Sequence, residues 1–257
     1  MRRLLTFPCA GETLVGTLDE AAGSTGLLIV SGGNEIRCGA HRGMALLAGR
    51  VAAEGVPVFR FDRRGVGDST GENGGYLSSA EDIAAAAAFR AEAPQLTRIV
   101  GFGNCDAATA LALFGRTAGV DRLVLANPWV VERSAGDLPA PAAIRARYAE
   151  RLRDPRTWRR LLRGGIDIAK FVKGLSAATH AKSENALAAR FAEALGGTDV
   201  SVVLAKGDAT ALAYADAARR LGLSLPTEVI DTASHSFARP GDAAALQAAI
   251  MVAIARL

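Results

Sequence analysis

The chain is short of the residues that most often carry chemistry. Its 257 residues include three histidines and three cysteines, and aromatic residues make up 5%. The cysteines, Cys9, Cys38 and Cys105, are an odd count with no metal-ligand spacing. That pattern argues against a disulfide framework and against a thiolate metal site. It reads instead as free thiols in a reducing compartment, so no metal or cofactor and a cytoplasmic location are expected. Charge of one sign is also scarce. The formal net charge is +4, too mild for nucleic acid to be the expected partner. Long apolar runs are missing as well. Stretches such as Ile83 to Phe89 are far below the roughly 20 residues that cross a bilayer. The opening "MRRLLTFPCAGETL" turns polar too soon for a signal peptide. There are no internal repeats. The one local charge excess is the arginine run from Arg145 to Arg163, which reads as a solvated helix face, with an anionic partner or substrate as the competing reading.

Half of the residues are hydrophobic, enough for a sizeable core. Leu4 to Phe7 and Glu12 to Leu18 flank "CAG" and predict an antiparallel hairpin. Gly26 to Val30 predicts a buried strand. A helix from His41 to Ala53 and a strand from Val56 to Phe61 follow. Ser79 is placed to cap a helix running through Ala93, before Pro94. Then come strand Arg98 to Gly101, helix Ala107 to Phe114 and strand Leu123 to Ala126. From Val131 to about Leu195 the pattern is helical throughout. Alternation resumes with strand Val200 to Ala205, helix Ala209 to Leu221, strand Glu228 to Ile230 and helix Asp242 to Leu257. Strand and helix alternation implies an α/β protein with a mainly parallel central sheet and helices on both faces. Its core is expected at residues 1–130 and 197–257, with a helical cap insertion at 131–196.

The segment "VGFGNCDAATAL", Val100 to Leu111, runs from a strand through a tight turn into a helix. Gly103-Asn104-Cys105-Asp106-Ala107 has the form glycine, any residue, nucleophile, any residue, small residue. A side chain at such a turn is pushed out above the sheet edge, and the crowded backbone needs small residues two positions before and after it. The following helix turns its free N–H groups and positive end toward the sulfur, which favours negative charge there. A dinucleotide-binding turn is the rival for "GFGNCD". Asp106 stands where that fingerprint needs its third glycine and would repel a pyrophosphate. A buried, inert thiol is the plainest alternative for Cys105.

A nucleophile needs a base, and the base needs an orienting acid. His235, in "IDTASHSF", follows the last expected strand. Asp208 follows "SVVLAKG", at the end of the preceding strand, and also reads as a helix N-cap. The order Cys105, Asp208, His235 is the nucleophile–acid–histidine order of one hydrolase class. Asp231 is the rival acid, but it lies close to His235 in sequence. For the oxyanion hole, the Asp106 N–H follows the nucleophile directly, and Gly33 or Asn34 in "SGGNE" would add the second donor. His41 and Trp129 are candidates to line the substrate site, with capping and packing as the competing readings. Trp158, Leu161 and Phe171 in the insertion are further candidates. His180 reads as a surface residue. Arg64 and Asp68, in "FDRRGVGDSTG", read as residues that fix a loop.

Taken together, these segments resemble the α/β-hydrolase fold over nearly the whole chain. A narrower likeness is to the type-1 hydrolases associated with exosortase A systems. It is carried by "GNCDAATAL", "NPWVVE", "RARYAERLRDPRTWRRLLRG", "GDATALAYAD" and "HSFARPGD". That resemblance implies a bacterial protein linked to exopolysaccharide and protein-sorting gene clusters, and supplies no substrate. The chain departs from the broader superfamily in having Cys105 for serine and Ala107 for the second glycine. A thiolate leaves a tetrahedral intermediate more readily than an alkoxide does, so an activated acyl group such as a thioester or aryl ester suits this nucleophile better than a lipid ester. The expectation is an acyl hydrolase of thioesterase or esterase type with a covalent acyl-enzyme and a small-molecule acyl substrate. An acyltransferase with the same triad and a silent binding module on the same fold are the alternatives. Acceptor and oligomeric state are left open by these residues.

Overall fold

The computed structural model describes residues 1–131 and 185–257. Eight strands form one sheet: β1 (Arg2–Cys9), β2 (Glu12–Asp19), β3 (Thr25–Val30), β4 (Val58–Phe61), β5 (Arg98–Asn104), β6 (Arg122–Ala126), β7 (Asp199–Ala205) and β8 (Thr227–Ile230). Their order across the sheet is β1-β2-β4-β3-β5-β6-β7-β8. The β1–β2 and β2–β4 pairs are antiparallel, and all the others are parallel.

Strand β3 shows why its sequence becomes a central strand. Leu27 and Ile29 point into one core, while Leu28 and Val30 point into the other. An apolar run buried on both faces belongs inside a parallel sheet. On the Leu27 face lie α1 (Gly43–Ala53) and α6 (Pro240–Ala255), through Leu47, Val51, Leu246 and Ile250. The Leu28 face carries α2 (Ala80–Ala87), α3 (Asp106–Phe114), α4 (Asn185–Ala194) and α5 (Ala209–Leu221). Phe7, Phe59, Phe61 and Phe89 gather on this second face, with the Phe59 and Phe89 rings stacked at 5.2 Å. Clustering concentrates the few large rings where they remove most area from water.

Three elements differ from the pattern. Helix α2 ends at Ala87 and tightens into a 3-10 turn over Ala88–Glu92. Ser79 precedes it without capping it, because its hydroxyl is taken by the buried Arg63 guanidinium at 2.9 Å and faces Gly75 O. Strand β5 runs on to Asn104, since Gly103 and Asn104 stay in register with Val30 and Ala126. Helix α4, which the pattern assigns to the insertion, packs into the core, with Phe191 meeting Tyr214 edge-on at 5.9 Å. The rest of the expected cap lies outside the described residues, together with Arg145 to Arg163, Trp158, Leu161, Phe171 and His180. Among the described residues no helix is long and apolar enough to cross a membrane.

The loop after β4 is held by charge. Asp62, fully buried, accepts from the Arg37 backbone N–H at 2.5 Å, from the Asp68 N–H at 3.1 Å and from the Arg37 guanidinium. Arg64 donates to Asp82 at 2.5 Å and to Ser78 O at 2.8 Å, tying the loop to α2. The Cys9 thiol also faces Asp82, and burial with that carboxylate pushes its pKa up to about 11. Replacing Arg64 would leave the buried Asp82 carboxylate without its counter-ion. Arg64→Ala is therefore expected to cost about 3 kcal/mol of stability in urea unfolding. Adding Asp82→Asn should recover part of that loss.

Candidate active site

The C-terminal ends of the parallel strands all open on one edge of the sheet, the usual place for a site in such folds. Strand β5 ends at Asn104 and α3 starts at Asp106, so Cys105 alone makes the turn. Its backbone sits at φ 62°, ψ −125°, a conformation that L residues rarely hold. Neighbouring chain fixes it there. The Cys105 N–H donates to Ala126 O at 3.0 Å, and its carbonyl accepts from the Trp129 N–H at 3.1 Å. Close packing of helix on strand explains the flanking small residues. A Cβ on Gly103 would lie 2.7 Å from Ala107 C and 2.9 Å from Ala108 N. A Cβ on Gly101 would meet side chains instead, at 2.9 Å from Val120 Cγ1 and 3.0 Å from Leu111 Cδ2. These glycines seat α3 on β5; their hydrogens face the helix and not a phosphate cradle.

His235 comes to the thiol from the loop after β8. Its Nδ1 lies 3.0 Å from Asp208 Oδ2, and Cys105 is near enough to raise its pKa. Asp208 does two jobs at once. Its Oδ1 caps α5 by accepting from the Thr210 and Ala211 N–H groups, each at 3.0 Å, while Oδ2 faces the imidazole. Burial raises the Asp208 pKa, but the hydrogen bonds from His235 and from the two amides outweigh it, and the net shift is downward. The His235 pKa is pushed up to about 10, first by the hydrogen bond to Asp208 and then by the one to Cys105, against the opposing effect of burial. Asp231 turns away, 86% exposed and paired with Lys206 at 3.1 Å.

Two asparagines that the sequence reading gave no role hold the histidine loop. Asn104 and Asn127 both donate to the His235 carbonyl, at 3.1 and 3.2 Å. Asn127 also donates to Asn104 Oδ1 at 3.1 Å and accepts from the Ala205 N–H at 2.8 Å. It is fully buried at φ 40°. The signal was present as a polar residue closing each apolar strand, in "GFGN" and "VLAN".

The other expected site residues are scattered in their surroundings. The Asp106 N–H stands free at the start of α3, with no acceptor among the described residues. The Gly33 N–H is not free: it donates to both carboxylate oxygens of Asp106, at 2.8 and 2.9 Å. Asn34 is exposed, and its side chain accepts from Asn73 at 2.7 Å. Trp129 lies half-buried beside Cys105, its carbonyl accepting from the Thr109 hydroxyl at 2.5 Å. His41 is exposed in the turn before α1 and makes no hydrogen bond to the triad. Cys38 is half-buried, its sulfur 3.7 Å from Gly39 O. Among the described residues no group of His, Cys, Asp and Glu could hold a metal ion.

The chain matches the alpha/beta hydrolase family over residues 27–247. Among solved structures it is similar to the alpha/beta hydrolase GrgF from Penicillium sp. (18% identity, TM-score 0.67, 100% of this chain and 98% of that one). A serine hydrolase without a lid from Xanthomonas campestris is similar at 14% identity and TM-score 0.60, covering 99% of this chain and 94% of that one. An esterase from Pyrococcus furiosus is similar at 14% identity and TM-score 0.63, covering 100% and 91%. No curated protein matches the chain.

Two outcomes follow from this geometry. Gly103→Ala should destabilise the protein by about 2 kcal/mol in urea unfolding, because backbone atoms must yield to the new methyl. The His235–Asp208 pair should also link stability to pH. The folded-state pKa of His235, about 10, lies above its ordinary 6.5, so its stabilisation is complete below pH 6.5 and disappears as pH rises toward 10. Asp208 is shifted downward, so its contribution holds above the ordinary carboxylate range and is lost as acid brings the pH down through its folded pKa. The melting-temperature gap between the wild type and His235→Gln should therefore narrow from pH 6.5 to 10.

Proposed function

The chain belongs to the alpha/beta hydrolase family, and from that footing we propose that it is an acyl hydrolase of thioesterase or esterase type, with Cys105 as nucleophile, His235 as base and Asp208 as the acid that orients it. One observation carries this reading. The residue at the apex of the strained turn lies beside a histidine whose Nδ1 sits 3.0 Å from a buried carboxylate oxygen of Asp208.

The reaction runs in two halves. The Cys105 thiolate adds to the acyl carbon, and the carbonyl oxygen takes the negative charge toward the Asp106 N–H. The bond from carbon to the leaving oxygen or sulfur then breaks, and the leaving group takes the His235 proton. Neutral His235 next accepts a proton from water, whose hydroxyl adds to the thioester. Collapse releases the acid and returns the thiolate. Asp208 keeps Nδ1 protonated throughout and stabilises the imidazolium. The first half discriminates among substrates. Thiolate is a better leaving group than alkoxide, so the adduct of an ordinary ester mostly reverts unless His235 protonates the alkoxide in time. Thioesters and aryl esters remove that handicap. The narrower likeness to exosortase A-associated hydrolases rests on the sequence segments, and it would place this chemistry beside exopolysaccharide assembly.

Incubation with acyl thioesters and aryl esters, followed by intact mass and peptide mapping, tests the reading. The wild type should turn over with an acyl adduct on Cys105, and Cys105→Ala should show none. His235→Ala should lower turnover by about 10²–10⁴-fold while the adduct accumulates. The reading fails if no adduct forms and Cys105 is alkylated no faster than Cys38. Added amine or sugar acceptors distinguish transfer from hydrolysis.

A further inference from the structure

The Gly33 N–H, the candidate second oxyanion donor, is taken by the Asp106 side chain. Both of its oxygens accept from the Gly33 N–H, at 2.8 and 2.9 Å, so that donor points at a resident carboxylate. The loop is shaped around this carboxylate. A Cβ on Gly32 would overlap Asp106 Oδ1 and lie 2.9 Å from Asn104 O, so glycine is the residue that leaves it room. The direction of the Gly33 N–H does not depend on Asp106. The same peptide unit is anchored through Gly32 O, which accepts from the Glu35 N–H at 3.0 Å. Arg63 steadies the next unit by donating to Gly33 O.

The carboxylate also has somewhere to go. Arg63, 3% exposed, brings its guanidinium to 3.9 Å from Asp106 Oδ2, beyond hydrogen-bond distance. Its bonded partners are Ser79 Oγ and Gly33 O, both neutral. Burial lowers the Arg63 pKa, opposed first by Asp106 and then by Asp82. A move of about 1 Å would turn the approach of Arg63 and Asp106 into a charge-assisted hydrogen bond.

We infer that the Asp106 carboxylate is an internal competitor of the substrate carbonyl for the Gly33 N–H, and that acylation of Cys105 requires it to pass from Gly33 to Arg63. This rests on the reading of Cys105 as the acylated nucleophile. At rest the site offers one free donor, the Asp106 N–H. The second becomes available when a carbonyl oxygen carrying developing charge displaces the carboxylate. Asp106 thus selects for acyl groups activated enough to compete with an anion, and it keeps weak acceptors from forming a stabilised adduct.

The ratio of two rates on Cys105 tests this: acylation by p-nitrophenyl acetate, which needs the oxyanion donors, and alkylation by iodoacetamide, which does not. Dividing one by the other removes any change in thiol reactivity. Asp106→Ala should raise the ratio about tenfold or more, since one oxyanion donor is typically worth 10²–10³ in rate. Asp106→Asn keeps the shape with a weaker, neutral acceptor and should fall between. Melting curves confirm that each variant folds, and the Gly33 amide, followed by ¹⁵N NMR, should lose hydrogen-exchange protection in Asp106→Ala. A ratio in Asp106→Ala at or below that of the wild type, with wild-type Cys105 acylated, overturns the gate and leaves the nucleophile standing. Alkylation without acylation in every variant overturns the nucleophile, and the gate with it.

Discussion

The distance between β5 and α3 is the constraint on which the site depends. The helix lies so close to the strand that Gly103 has no room for a methyl group, and Ala107 is fully buried beneath it. A single residue must then reverse the chain, and that residue is driven into a positive-φ conformation. Cys105 holds this strained geometry because Ala126 O and the Trp129 N–H clamp its backbone from the neighbouring strand and loop. The thiol is therefore raised above the sheet edge by packing, before any catalytic partner arrives.

The partners are delivered by loops, and each loop is fastened by a side chain that satisfies backbone donors or acceptors. Asp62 gathers the β3 and β4 loops, and Asp208 caps α5 while holding the imidazole. Thr232 is tied to Asp242 at 2.6 Å at the base of the histidine loop. The asparagines at the ends of β5 and β6 draw the His235 carbonyl toward the sheet. Buried polar groups of this kind must be satisfied to be tolerated. Here the groups that satisfy them also fix the His235 loop at the strand ends and hold its imidazole on Asp208.

Charge distribution gives the site its chemical character. His235 is held between a carboxylate and a sulfur that both favour its protonated form. Under the proposed function, it would be protonated when the leaving group departs, the step that attack by a thiolate makes most demanding. A second carboxylate, that of Asp106 directly after Cys105, accepts from the Gly33 N–H and lies 3.9 Å from the Arg63 guanidinium. Under that proposed function, this pairing of a protonated imidazole with a Gly33 N–H already taken by Asp106 would favour reactive acyl groups over stable ones.

Period and punctuation in the chain determined much of this. Apolar runs bounded by glycine marked the strands of the parallel sheet, and the spacing of small residues around Cys105 marked the turn, because both follow from local backbone sterics. Cys105, Asp208 and His235 each lie in the segment that follows a strand, β5, β7 and β8 respectively, on one edge of the sheet. The end of β5, the loss of the Ser79 cap and the packing of α4 depended on neighbours distant in sequence, such as Val30, Arg63 and Tyr214. Asp106 shows the division most clearly. Sequence put its N–H at the start of α3, since that follows from adjacency to Cys105. Only the tertiary structure decided that its side chain would meet the Gly33 N–H, because that bond joins residues 73 positions apart and exists only where β3 and β5 lie side by side.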